Sequence, residues 1–284
     1  MSDLAADYRV LTTGAGAVAI GRDVVRASGP DAVSYLQGQC SQDIAALGVG
    51  ASAWSLVLQP QGKVDAWVRV TRVGDEEVVL DVDGGFGEAL LARLQRFKLR
   101  VKADLELLSW GCVAVRGPEA AQGVGWPFAW NGFTGFDLVG PSPSPPSGVP
   151  TVGTDAYEVR RIEAGVPRMG AELTEKTIPA EAGVVESSVD FAKGCYTGQE
   201  LVARIDSRGG NVPRRLRGVV LDGVPDVGTP VEVGGRAVGS LTSVARHPEG
   251  HGVGLAYVAR DVDPPADGVC GGVAASVRTL PLLS

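Results

Sequence analysis

The chain has 284 residues, of which 44% are hydrophobic and 21% charged, and its net charge is −7. This composition is typical of a globular protein large enough for about two domains. The acidic balance argues against general binding to DNA or RNA, which requires a basic surface. The N-terminus has no signal-peptide pattern, and no apolar run approaches the roughly 18 residues of a membrane span, so we expect a cytoplasmic protein without membrane contact.

The first half of the chain predicts antiparallel strands with helices on one side, an α+β arrangement. Residues 18–28 are typical of two short strands around Gly21, and a helix is predicted to begin near Pro30. Further strands are predicted at 53–58, 64–73, 76–83 and 103–110, with an amphipathic helix at 86–99.

The second half of the chain changes character twice. Short strands recur between 112 and 140, and the proline-rich stretch 141–150 indicates a surface loop. A helix is predicted over 155–165, closed by Gly165. After about residue 212, strands alternate with Gly/Pro turns, which indicates a small β-barrel. We therefore predict domains at 1–212 and 213–284.

The stretch KGCYTGQELVARI, which begins at Lys193, contains the most informative motif. Thr197 and Glu200 match the capping-box pattern of a helix start. Cys195 then lies just before a helix N-terminus, and the positive end of the helix dipole together with the Lys193 cation would favour its thiolate. The alternative is that Cys195 is a small buried side chain. The other three cysteines are isolated, so neither a disulfide framework nor a metal site is predicted.

The octapeptide KGCYTGQE resembles the signature of the YgfZ-type folate-binding proteins, relatives of the glycine-cleavage T-protein. Blocks at 28–44, 58–70, 161–173 and 178–183 resemble other blocks of that family in the same order. The resemblance implies a three-lobed ring, two α+β lobes followed by a small C-terminal barrel, with a tetrahydrofolate pocket near its centre. It also implies an accessory role in assembling or repairing iron–sulfur enzymes, with client enzymes or assembly proteins as partners and Lys193 and Cys195 as the functional pair.

The same resemblance assigns residues to the folate site. Glu163 would accept hydrogen bonds from the pterin, although it could instead pair with a neighbouring arginine. Tyr196 and Gln199 of the motif would also contact folate. From the residues alone, Arg204 lies in a locally basic stretch that would hold the glutamate tail, unless that stretch is a solvated basic face. Trp54, Trp67 or Trp126 would stack on the pterin unless they belong to the core. We expect the Cys195 sulfur to open into a cavity shared with the folate.

Two other functions compete with the accessory role. A folate-dependent aminomethyltransferase of the T-protein type would need the paired aspartates of that family, whereas the corresponding block here offers Asp65 alone. A plain interaction module would not need the folate residues. A conventional enzyme is therefore not expected.

Two further motifs are set aside. TGAGAVA, residues 13–19, mimics a dinucleotide-binding fingerprint but precedes a strand rather than a helix. HPEGH, with His247 and His251 four residues apart, contains proline and glycine and predicts a surface turn rather than a helical metal pair.

Overall fold

The computed structural model describes residues 3–120 and 124–283. The helices are α1 (Leu4–Thr13), α2 (Ala32–Gln39), α3 (Gly87–Arg96), α4 (Thr154–Ala164), α5 (Pro179–Ala182), α6 (Val185–Ser188) and α7 (Gln199–Asp206). The strands are β1 (Gly16–Ile20), β2 (Arg22–Ser28), β3 (Ser52–Leu58), β4 (Val64–Gly74), β5 (Glu77–Asp83), β6 (Asp104–Leu108), β7 (Gly111–Arg116), β8 (Trp126–Trp130), β9 (Phe133–Gly140), β10 (Arg214–Leu221), β11 (Pro230–Val233), β12 (Arg236–Arg246), β13 (Gly252–Ala259), β14 (Ala266–Cys270) and β15 (Val273–Arg278).

A five-stranded antiparallel sheet with the order β3-β4-β5-β2-β6 forms the first layer. Its central strands are buried along most of their length, because α2 and α3 pack on the sheet and cover its apolar side chains. Strands with nearly continuous apolar runs, such as β5, fit a position that is covered on both faces.

A four-stranded antiparallel sheet, β1-β7-β9-β8, forms the second layer, with α1 and α4 packed beside it. The chain passes from β1 to β2 at Gly21, so the two sheets adjoin directly. Aromatic side chains join them: Trp67 and Trp130 meet edge to face at 5.3 Å between ring centroids, and Trp54 meets Phe128 at 6.1 Å. The large cavity described below lies at this junction of the two sheets.

The C-terminal strands close into a six-stranded barrel, β10-β13-β12-β11-β14-β15, as predicted. The barrel has its own apolar centre, but Leu216, Leu255 and Tyr257 belong to the core of the preceding part of the chain. The tail then returns to α4, where the Leu282 amide donates to the Glu163 carbonyl at 2.6 Å. The α+β class and the barrel are confirmed, and the division at 212/213 stays a prediction. Within the described ranges, no helix has the length and apolarity that a membrane span requires.

Candidate functional site

A cavity of about 780 Å³ lies where the two sheets meet α4. Its lining includes the aromatic side chains of Trp54, Trp67 and Phe128, together with charged side chains from both sheets and from α4. A cavity of this size, mostly apolar with a few convergent polar groups, is typical of a small-molecule site.

A buried chain of alternating charges runs along this cavity. Arg22 pairs with Asp83 at 2.5 Å and with Asp81 at 2.6 Å, and Arg69 bonds Asp81 at 3.0 Å. Arg69 continues to Asp137 at 2.7 Å. Buried charges are tolerated only when they are paired and hydrogen-bonded. This row of ion pairs therefore fixes the relative position of the two sheets.

The chain of charges ends at Asp137 and Arg116, which both line the cavity. Burial pushes the pKa of Asp137 upward, but the charges of Arg116 and Arg69 outweigh it and hold the pKa below its usual range. Arg116 Nη2 lies 2.7 Å from Asp137 Oδ1, so this oxygen is already in an ion pair with the guanidinium. Arg116 Nε has no hydrogen bond among the described residues. A buried donor is thus available beside the cavity.

Helix α4 contributes a second carboxylate to the cavity wall. Glu158 accepts two hydrogen bonds from Arg161, at 2.9 and 2.6 Å. Burial pushes the Glu158 pKa upward, but these bonds and the charge of Arg161 outweigh it and lower the pKa. Arg161 also donates to Ser243 of the barrel at 2.8 Å. Tyr157 also lines this cavity.

Sequence reasoning missed the carboxylates of Asp137 and Glu158. The available signal was an isolated charge inside an otherwise apolar strand, as with Asp137 in GFDLVG and Arg116 in CVAVRG. A charge at such a position requires a buried partner or a ligand.

Trp67 is placed between the core and the cavity. It is buried, stacks on Trp54 at 4.2 Å between centroids, and donates from Nε1 to Ser188 Oγ at 2.9 Å. One face of Trp67 is thus occupied by Trp54, and both rings contribute to the cavity lining.

Glu163 is buried outside the lining of this cavity. Its carboxylate accepts hydrogen bonds from the Tyr8 hydroxyl at 3.0 and 3.1 Å and from Arg160 at 2.8 Å, and it lies 3.3 Å from Nε2 of His247. The contact of Glu163 with a pterin stays a prediction. The pairing with an arginine, which the sequence left open, is present.

Cys195 is exposed, whereas Cys40, Cys112 and Cys270 are buried, and all four lie in the described ranges. The thiol is therefore not a packed core group. It is also absent from the lining of the 780 Å³ cavity, and a cavity shared by thiol and folate stays a prediction.

The Lys193 ammonium is held by backbone carbonyls. It donates to the carbonyl oxygens of Gln37, Cys40 and Gln42 at 2.6, 2.6 and 2.9 Å. These three acceptors take up the three donors of the ammonium at the C-terminal end of α2. Burial lowers the Lys193 pKa, and nearby groups that include Asp43 and Asp190 oppose this shift only in part. Lys193 is a clamp between the motif and the block 28–44.

Gly198, the second glycine of the motif, has a structural role. Its φ is +83°, and an added Cβ would lie 2.8 Å from the Leu58 side chain and 3.2 Å from Gly62 Cα. The motif therefore packs directly on the turn between β3 and β4, and only glycine permits that approach. The predicted capping box is wrong: α7 begins at Gln199 with Gly198 as its N-cap and no side-chain cap.

The remaining predicted site residues are spread around the motif. Gln199 Oε1 accepts from the Tyr196 amide at 3.1 Å, which closes the loop locally, and the Tyr196 ring lies 5.2 Å from the Lys193 ammonium. Arg204 is exposed on α7. Asp65 pairs with Arg93 at 2.8 Å and does not line the large cavity.

No protein-family model matches the chain. It is 30% identical over 272 residues to an aminomethyltransferase of Rubrobacter xylanophilus, covering 81% of this chain and 72% of that one. It is 29% identical to an iron–sulfur cluster assembly factor IBA57 homolog of Chaetomium globosum, covering 76% of this chain and 60% of the relative.

Among solved structures, the glycine cleavage system aminomethyltransferase T of Bartonella henselae superposes with a TM-score of 0.83 at 21% identity. The match covers 99% of this chain and 89% of that one, and it confirms the predicted T-protein-like fold. Together with the motif, these relatives show that the chain belongs to the YgfZ-type proteins, a branch of the family that includes the aminomethyltransferase T-protein.

Proposed function

We propose that this protein is a folate-binding accessory factor for the assembly or repair of iron–sulfur enzymes, with Cys195 as its reactive thiol. One observation carries the proposal: an exposed cysteine sits in a loop that Lys193 and Gly198 hold rigidly against two other family blocks. A rigid, solvent-reachable thiol suits recurrent chemistry with a partner, whereas a buried one would not. The similarity to an iron–sulfur cluster assembly factor supports the same role.

The large cavity is the proposed tetrahydrofolate site. Its volume lies within the roughly 300–1,000 Å³ of small-molecule pockets. Asp137 Oδ1, which also pairs with Arg116, would accept from the aminopyrimidine edge of the pterin through its second lone pair, and the Arg116 Nε would donate to the ring oxygen. Trp54 and Trp67 supply an aromatic wall, which keeps the proposed role of Trp67. When bound, a reduced folate would supply a reduced pterin able to carry one-carbon units.

Cys195 lies outside the lining of that cavity, so we infer that it faces a partner protein rather than the pterin. Tyr196 and Gln199 then shape the loop that presents the thiol, and the exposed Arg204 next to it offers a cation to an acidic partner or to the glutamate tail. Lys193 supports this loop as a positioning residue.

A folate-dependent aminomethyltransferase is the second candidate, because a relative with that name is 30% identical over most of both chains. The position of Asp65 weighs against it, since its carboxylate is held by Arg93 and does not line the cavity. An aminomethyl-transfer assay with the purified protein decides between the two: turnover that depends on Asp65 would favour the transferase.

The deciding experiment is complementation of a deletion strain, read out as the activity of its iron–sulfur enzymes. We expect Cys195→Ser to lose rescue, while Ala203→Ser, an exposed change on α7, rescues fully. Full rescue by Cys195→Ser would remove the thiol from the function.

Folate binding is tested separately by titrating tetrahydrofolate against tryptophan fluorescence. Because Trp54 and Trp67 border the cavity, we expect saturable quenching that Trp54→Phe reduces. Absence of saturable binding would contradict the folate site.

A further inference from the structure

We propose that the hairpin turn between β12 and β13 is a binding site for a divalent transition-metal ion, with zinc as the best match. The ligands would be His247, Glu249 and His251. One ligand atom from each of these side chains lies within 4.8 Å of the other two. Two imidazole nitrogens and one carboxylate oxygen form a donor set that suits zinc and similar borderline metals better than magnesium or calcium.

The backbone of the turn prepares this arrangement. The His247 amide donates to the His251 carbonyl at 2.8 Å, and the Gly250 amide donates to the His247 carbonyl at 2.9 Å. Gly250 has a φ of +97°, which allows the chain to reverse within this short span. As a result the two imidazole rings lie nearly parallel, 4.3 Å apart between centroids. The hairpin thus brings the two histidines together, as their four-residue spacing would do on a helix.

A second observation points to a ligand: a buried carboxylate orients His247 from the opposite side. Glu163 is 5% exposed, and its Oε1 lies 3.3 Å from His247 Nε2. The Tyr8 hydroxyl and Arg160 fix this carboxylate in turn, at 3.0 and 2.8 Å. Metal-binding histidines commonly donate their second ring N–H to such a carboxylate, which sets the tautomer.

The tautomer of His247 follows from its neighbours. Nδ1 accepts a hydrogen bond from the Glu249 amide at 3.2 Å, so the ring proton resides on Nε2, which lies 3.3 Å from Glu163 Oε1. The Nδ1 lone pair consequently faces the side on which Glu249 and His251 lie. A metal ion would replace the long bond from the Glu249 amide.

The ligand atoms need only a small adjustment to close on an ion. Zinc–nitrogen bonds of about 2.0–2.1 Å in a tetrahedral site place neighbouring ligand atoms about 3.3 Å apart. The Glu249 side chain is 78% exposed and His251 is partly exposed, so both can rotate toward His247, which is 7% exposed and held in place. The fourth position of a tetrahedral ion would be left to water.

The test titrates Co²⁺ and Zn²⁺ into the full chain carrying Cys195→Ser, because the exposed thiol would otherwise bind metal itself. We expect one equivalent of Co²⁺ to give visible absorption bands of a tetrahedral site, to be displaced by Zn²⁺, and Zn²⁺ to raise the Tm by several degrees. His251→Gln should abolish both effects, and Glu249→Gln should weaken binding at least tenfold.

The matched control is Glu232→Gln, which removes the same charge from an exposed position on β11 away from the turn. It should bind as the parent does. Because His247 is buried and its replacement could unfold the chain, the partly exposed His251 carries the test. Non-saturable binding, or equal affinity in His251→Gln and the parent, would overturn the proposal.

Discussion

Replacing Asp137 by asparagine tests whether the buried chain of charges holds the two sheets together. Asp137 lies 2.7 Å from both Arg69 and Arg116 and is 3% exposed. The substitution leaves the buried guanidinium of Arg116 without its carboxylate. Breaking one partner out of a buried pair costs about 3–5 kcal/mol, because the remaining charge stays desolvated. We expect the free energy of unfolding in urea to fall by that amount.

The matched control is Asp261→Asn, which breaks an exposed pair with Arg236 at 2.7 Å. Exposed ion pairs contribute about 0–1 kcal/mol, so the control should scarcely move the urea midpoint. If Asp137→Asn destabilises the chain no more than Asp261→Asn, the charges are not a structural unit.

The same substitution has a pH signature. The folded-state pKa of Asp137 lies below its usual range, because Arg116 and Arg69 outweigh the effect of burial. Its contribution to stability is therefore complete above the unfolded value of about 3.9 and is lost as the pH falls through the lower folded value. We expect Asp137→Asn to flatten the acid limb of the stability profile. An unchanged acid limb would contradict this assignment.

Three further predictions concern the motif. Lys193→Met should lower the free energy of unfolding by about 1–3 kcal/mol, measured in urea, since three carbonyls lose their shared donor; an unchanged urea midpoint would contradict the clamp. Gly198→Ala should destabilise more than Gly209→Ala, because both have positive φ but an added Cβ meets other atoms only at Gly198; equal thermal melts would show that the contact with Gly62 is unimportant. Iodoacetamide should alkylate Cys195 as fast with saturating tetrahydrofolate as without it, whereas protection by folate would show that thiol and ligand share a cavity after all.

The local elements of this fold were predictable because their signals are local. The end of α4 at Gly165 required only a glycine able to adopt a left-handed conformation, here with a φ of +70°. The barrel followed from short apolar strands separated by Gly/Pro turns. The predicted capping box was also a local pattern, but it was wrong, because packing of Gly198 on Leu58 and Gly62 decided where α7 begins.

The sequence by itself determined most strands, the helices α2, α3, α4 and α7, the barrel and the motif with its cysteine, because hydrophobic period, turn residues and specific short patterns are carried by neighbouring residues; helix α1 was not predicted. Only the tertiary structure decided what the polar side chains do. Lys193 meets carbonyls more than 150 residues away, and Glu163 meets Tyr8 at a separation of 155. A buried charge needs a partner, and its partner is fixed only when distant elements pack together.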